Sequence, residues 1–118
     1  MRTFSFGPEH GRRLDRFGSD FTIARLVHTE EVHVACMRLA PGGVIGYHQA
    51  VSYQLFAVVE GEGWVREEGP ERTPIRAGEA ALWAPGEWHA AGTDTGMVAI
   101  VVESAVLGGD PGAVGPIS

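Results

Sequence analysis

Two histidines and a glutamine carry the chemistry that this sequence can offer. His48 follows the turn Pro41-Gly42-Gly43, Gln54 lies in the alternating stretch Tyr53 to Glu60, and His89 follows Pro85-Gly86 at the start of another short apolar run. Side chains alternate along a strand, so Gln54, Phe56 and Val58 share one face, and His48 on the preceding strand can turn to the same interior. Two imidazoles and a primary amide in one pocket can do three things. They can hold a divalent transition metal such as Zn, Ni, Fe or Mn, with the imidazoles as strong ligands and the amide oxygen as a weak, neutral one. They can hydrogen-bond a small organic ligand without a metal. Or one imidazole, His48 or His89, can act as a catalytic group that moves a proton on a bound substrate.

Other residues are candidates for the surroundings of that pocket. His33 shares its parity with Ala35, Met37 and Leu39 and can reach the interior as a third imidazole, whereas His10 and His28 read as surface or strand-end residues. Tyr47, Phe56 and Trp88, with Trp64 and Trp83, can line an apolar pocket for a flat ligand, or simply pack the core. Arg38 and Glu103 interrupt apolar strands, and either could enter the pocket as a lone charge, with a solvent-facing position the default for each. Cys36 reads as a small buried hydrophobe. All nine cations are arginine, which excludes Schiff-base chemistry and a lysine general base, and no Ser or Cys nucleophile stands beside a positioned base.

The elements that must position these residues are short strands. Seventeen glycines and seven prolines are scattered through 118 residues, the composition of an all-β domain with many tight turns, and 118 residues suffice for one domain with a single core. Strands are expected over 21 to 28, 32 to 39, 44 to 50, 53 to 60, 64 to 67, 73 to 76, 80 to 84, 88 to 93 and 97 to 104, with a turn at Gly61-Glu62-Gly63. Residues 1 to 20 read as an arm, an edge strand at Phe4 to Phe6 followed by a loop in which Arg12, Arg13 and Arg16 are solvated. Short strands at this spacing indicate a sandwich or barrel, expected over 21 to 107, and 108 to 118, rich in Gly and Pro, reads as a flexible tail. A net charge of −6 argues against a nucleic-acid partner, which needs clustered cations. The longest apolar run, Met97 to Val102, is too short to cross a bilayer as a helix, and no signal-peptide core opens the sequence. A single cysteine forms no internal disulfide, which fits a reducing, cytoplasmic setting.

The spacing resembles the cupin superfamily. Its first motif, Gly-x5-His-x-His-x3-4-Glu-x6-Gly, is matched in spacing by Gly42, His48, Ala50, Gln54 and Gly61. Its second, Gly-x5-Pro-x-Gly-x2-His-x3-Asn, is matched by Gly78, Ala84, Gly86, His89 and Thr93. The resemblance, over about residues 21 to 104, implies a double-stranded β-helix or jelly-roll barrel that forms homodimers and binds a small molecule inside. For members with the full ligand set it implies a metal-dependent enzyme, dioxygenase-like or isomerase/cyclase-like, acting on a carbonyl or enol. Here Ala50 and Gln54 stand where that set has a histidine and a glutamate. The expected metal ligands reduce to His48, Gln54 and His89.

Overall fold

The structure, a computed structural model, describes residues 1–105, so the tail expected over 108 to 118 lies outside the described residues. The glycine-punctuated apolar stretches form nine antiparallel strands among those residues: β1 (Arg12–Leu14), β2 (Phe21–His28), β3 (His33–Leu39), β4 (Val44–Gln49), β5 (Tyr53–Arg66), β6 (Arg72–Arg76), β7 (Ala80–Trp83), β8 (Trp88–Gly92) and β9 (Met97–Ser104). One sheet runs β1-β2-β3-β9 onto the first half of β5, which takes β7 on its other edge. The second half of β5 carries β6 on one edge and β8, then β4, on the other. The chain folds as the jelly-roll barrel that the resemblance to the cupin superfamily implies.

β5 joins the two sheets. The turn expected at Gly61 to Gly63 is absent: the strand runs through it, pairing with β9 up to Gly61 and with β6 and β8 beyond. Gly61 takes φ +78 there, and a Cβ on it would collide with the carbonyl of Gly96. These glycines let one strand pass between sheets.

The arm also differs from expectation. Phe4 to Phe6 forms no strand. The edge strand is β1, paired with β2 through Arg12↔Ile23, Arg13↔Thr22 and Leu14↔Phe21, because the turn Pro8–His10 reverses the chain and brings Arg12 alongside β2. Arg12 and Arg13 are thus strand residues rather than loop residues, and Arg13 pairs with Asp20 (Nη2 to Oδ1 3.1 Å).

The inward faces of both sheets meet in one core. Phe56, Val58, Ile75, Trp83, Met97 and Val101 are each at most 3% exposed, and burying a side chain of that size contributes about 1.5–3 kcal/mol. Cys36 alternates in β3 with the cavity residues Ala35 and Met37 and is also buried, which pushes its thiol pKa up against the pull of Arg38. Arg38 itself stays outside, its guanidinium donating to the carbonyl of Phe6 (2.9 Å).

Candidate functional site

Two β-bulges build the site. In β2 the register with β3 shifts between Arg25 and Val27, so that Phe21, Ile23 and Arg25 line the interior and then, one residue out of step, His28 does too. In β4 the register with β8 shifts between Ile45 and His48, so that both of these line the interior despite opposite parity. A bulge re-aims a side chain that strict alternation would send to the other face.

The result is a cavity of about 350 Å³, at the small end of the range for ligand pockets. Its polar wall is one row across five strands: His28 faces His33, His33 faces Glu103, Glu103 faces Gln54, and Gln54 faces Trp83. The next row, Arg25, Ala35, Val101 and Phe56, is mostly apolar, and the small Ala35 leaves open the space above it. The row becomes more buried from His28 inward, reaching 7% exposure at Gln54. The Nδ1 atoms of His28 and His33 lie 2.8 Å apart, so one ring donates and the other accepts.

Behind the wall, from Trp83 on, a row of packed rings continues, with the His48–His89 pair tilted by 58°. Trp83 lies 4.2 Å from His89, His89 lies 4.3 Å from His48, and His48 is capped at 5.2 Å by Phe17. His48 and His89 face each other across β4 and β8. His48 Nδ1 sits 2.7 Å from the carbonyl oxygen of Gly46 and His89 Nδ1 3.5 Å from that of Glu87. Each contact assigns the ring proton to Nδ1 and leaves a lone pair on Nε2. His89 is 1% exposed, and its Nε2 has no hydrogen-bond partner among the described residues. Burial first, and the neighbouring His48 second, hold the His89 pKa down to about 4, against the opposing pull of the Glu87 carbonyl. At neutral pH His89 is an acceptor, not an acid.

Of the residues singled out from sequence, His48, Gln54 and His33 line this cavity, and His89 stands directly behind His48. Three others lie elsewhere. Tyr47 is next to His48 in β4 and faces outward, where it stacks on Trp88 (5.3 Å) beneath the guanidinium of Arg66. Trp88 is next to His89 and faces outward for the same reason. Phe56 belongs to the core and packs against Trp83. Conversely, the cavity takes in His28, which reads as a surface or strand-end residue, Glu103, whose default is solvent but which could enter the pocket, and Arg16, Arg25 and Phe17, which carry no sequence signal of a site.

Phe17 reaches the site on a strap, residues 15 to 19, tied to β4. The Gly46 amide donates to the Ser19 hydroxyl (3.0 Å, buried), and the Asp20 amide to the carbonyl of Val44 (2.6 Å). Phe17 holds left-handed backbone angles, φ 58 and ψ 30, a conformation uncommon for a bulky residue.

The sequence profile of the cupin domain matches residues 35–103, more than half of the chain. The chain belongs to the cupin family. Solved cupins share its fold. A cupin-like protein from Thermotoga maritima is 22% identical with a TM-score of 0.76, covering 86% of this chain and 83% of its own. An RmlC-like cupin from Shewanella frigidimarina is 26% identical with a TM-score of 0.71, covering 91% and 94%. KdgF from Halomonas sp. is 23% identical with a TM-score of 0.71, covering 87% and 94%. No curated protein sequence matches significantly. This cupin departs from the family motifs at the positions that would carry ligands. Ala50, buried at 4% exposure, offers no donor, and Gln54 is neutral. Among the described residues no three His, Cys, Asp or Glu side chains come together in a group that could hold a metal ion. Thr93, where the second motif has asparagine, holds a turn, its hydroxyl donating to the Glu62 carbonyl (2.6 Å) and accepting from the Gly96 amide (2.9 Å).

Proposed function

We propose that this cupin binds a small molecule in the barrel cavity, held by Gln54 and the Nε2 atom of His48. The observation that carries the reading is Gln54: its side chain lines the cavity at 7% exposure and, among the described residues, hydrogen-bonds no protein group. Its polar atoms are not sealed off, so they stay open to a ligand offering complementary groups, and no hydrogen bond to a described residue is lost when they are replaced. Gln54→Leu is therefore expected to keep or raise the melting temperature while abolishing binding. The check is a thermal-shift screen of small molecules against wild type and Gln54→Leu, in which hits that persist unchanged in the variant would sink the reading. The homodimer and the cytoplasmic setting expected from sequence belong to the same proposal. Exposed Leu82 and Trp88 and the single buried thiol of Cys36 support them, and sedimentation velocity checks the first.

A second reading is favoured by the two Nδ1 contacts, which turn both Nε2 lone pairs away from the backbone. In it this is a metal-dependent enzyme of the dioxygenase-like or isomerase/cyclase-like kind. His48, His89 and Gln54 would hold a divalent transition metal weakly, and such a cation polarises a carbonyl or enol oxygen. The donor set is one imidazole and one carboxylate short of the full family set, and restoring the carboxylate makes the test direct. Gln54→Glu is expected to tighten Zn²⁺ binding by about tenfold or more. Without metal it should lower the melting temperature, because the new carboxylate is buried beside Glu103. Calorimetric titration of both proteins decides: no binding to wild type at millimolar Zn²⁺ or Ni²⁺ removes the second reading.

A further inference from the structure

The cavity inverts the charge of the protein that encloses it. The chain carries −6 overall, yet among the described residues the fixed charges lining the cavity are Arg16, Arg25 and a single Glu103. The two cations arrive from different elements, Arg16 from the strap and Arg25 from β2. Neither forms an ion pair, and neither donates a hydrogen bond, among the described residues. The ion pairs found there are Arg13–Asp20 and Glu9–His10, and no contact ties Arg25 or Arg16 to Glu103. Arg25 is held on the cavity side just ahead of the bulge in β2, opposite Ala35, a neighbour too small to stop its long side chain lying inward. An exposed arginine without a partner is commonplace. Two of them converging on a concave apolar wall in an acidic protein form an electrostatic focus for an anion.

Resting on the small-molecule reading above, we propose that the ligand is a monocarboxylate with an apolar body, its carboxylate taken by Arg25 and Arg16. Charge decides between a monoanion and a dianion: two cations against one carboxylate leave a single net positive charge, and Glu103 on the adjoining row would repel a second negative one. A guanidinium fork fits a carboxylate through paired N–H donors. The body of the ligand meets Leu14, Phe21, Ile23, Met37 and Ile45, and a cavity of about 350 Å³ suits an acid of one ring. The amide of Gln54 and Nε2 of His48 then meet whatever polar group the other end carries.

Matched pairs that differ only in charge test this: 3-phenylpropionate against 3-phenylpropionamide, and cyclohexanecarboxylate against its carboxamide, titrated into the full chain at low salt and followed by amide NMR shifts. The acids are expected to bind about fivefold or more tighter than their amides, to shift Ala35, Val101 and the side-chain amide of Gln54, and to lose their advantage as salt is added. Arg25→Gln, an exposed substitution whose folding the same spectra report, should bring acid and amide to within about twofold. Amides that bind the cavity as well as the acids overturn the carboxylate proposal and leave the small-molecule reading standing. Failure of all four compounds to shift cavity residues at millimolar concentration overturns both. Acid selectivity that survives in both Arg25→Gln and Arg16→Gln overturns the assignment of these arginines.

Discussion

Alanine at position 46 is expected to dislodge the strap that carries Phe17 and to cost the fold about 3 kcal/mol, from overpacking against a fixed backbone together with loss of a buried hydrogen bond. Gly46 sits in the β4 bulge, and a Cβ there would fall on the carbonyl oxygen of Phe17, with the Phe17 carbonyl carbon and Cβ close behind. These are mostly backbone atoms, so no side-chain rotation relieves the clash, and the strap must move. Moving it breaks the Gly46 amide to Ser19 hydroxyl bond and takes the phenyl ring off His48. In a domain of this size the loss corresponds to a fall in melting temperature of about 10 °C. Phe17→Gly is the contrast. It removes the ring contact but relieves the left-handed backbone angles of Phe17, and the two effects offset each other to within about 1 kcal/mol. Thermal unfolding of the two variants, with hydrogen exchange at the residue 46 amide, separates the outcomes. A Gly46→Ala protein as stable as wild type, with that amide still protected, would show that the strap is not seated on β4.

The bulges that seat the strap and aim the histidines also mark where the sequence stops being readable. Alternation within Tyr53 to Val58 places Gln54 inward, and the spacing from Gly42 to Gly61 indicates a barrel; both follow from local pattern. His28 could not be placed that way. Counted along β2 from Phe21 it falls out of phase with Ile23 and Arg25, and only the register shift against β3 returns it to the interior. The same shift in β4 puts Ile45 and His48 on one face, a pairing that no even spacing offers. Glu103 could be read either way from sequence, for a different reason. In β9 both faces are apolar, Met97, Ala99 and Val101 on one and Val98, Ile100 and Val102 on the other, so hydrophobicity cannot say which is inside. Tyr47 and Trp88 show the converse: aromatic residues beside pocket histidines attract attention, yet adjacency in a strand is what sends them outward. Gly61 to Gly63 looked like a turn because glycines allow turns, but they equally allow a strand to pass between sheets, and pairing partners distant in sequence decide between the two.

The fold is also expected to lose about 3 kcal/mol of stability to His89 alone as the pH falls from about 6.5 to about 4. The ordinary histidine pKa is near 6.5, and the folded protein holds His89 at about 4. Above the higher value both folded and unfolded chains carry a neutral ring, and the pH has no effect through this residue. Between the two values the unfolded chain binds a proton that the folded chain refuses, so stability declines as pH drops. Below about pH 4 both are protonated and the decline stops. The refusal has a geometric cause: protonation would create an N–H at Nε2, in a position 1% exposed where the described protein offers no acceptor, with His48 alongside to repel the new charge. Denaturant titrations across the window, set beside ring NMR shifts of His89, make the check. His89→Gln should flatten the slope between about pH 6 and pH 4, whereas a ring that titrates near its ordinary value would mean that solvent or a neighbouring acceptor reaches Nε2. A carboxylate ligand that came close enough to accept from Nε2 would raise the folded pKa and shrink the acid loss. The same titration repeated with 3-phenylpropionate present therefore reports whether the acid end of a bound ligand stays with the arginines or reaches the histidine pair.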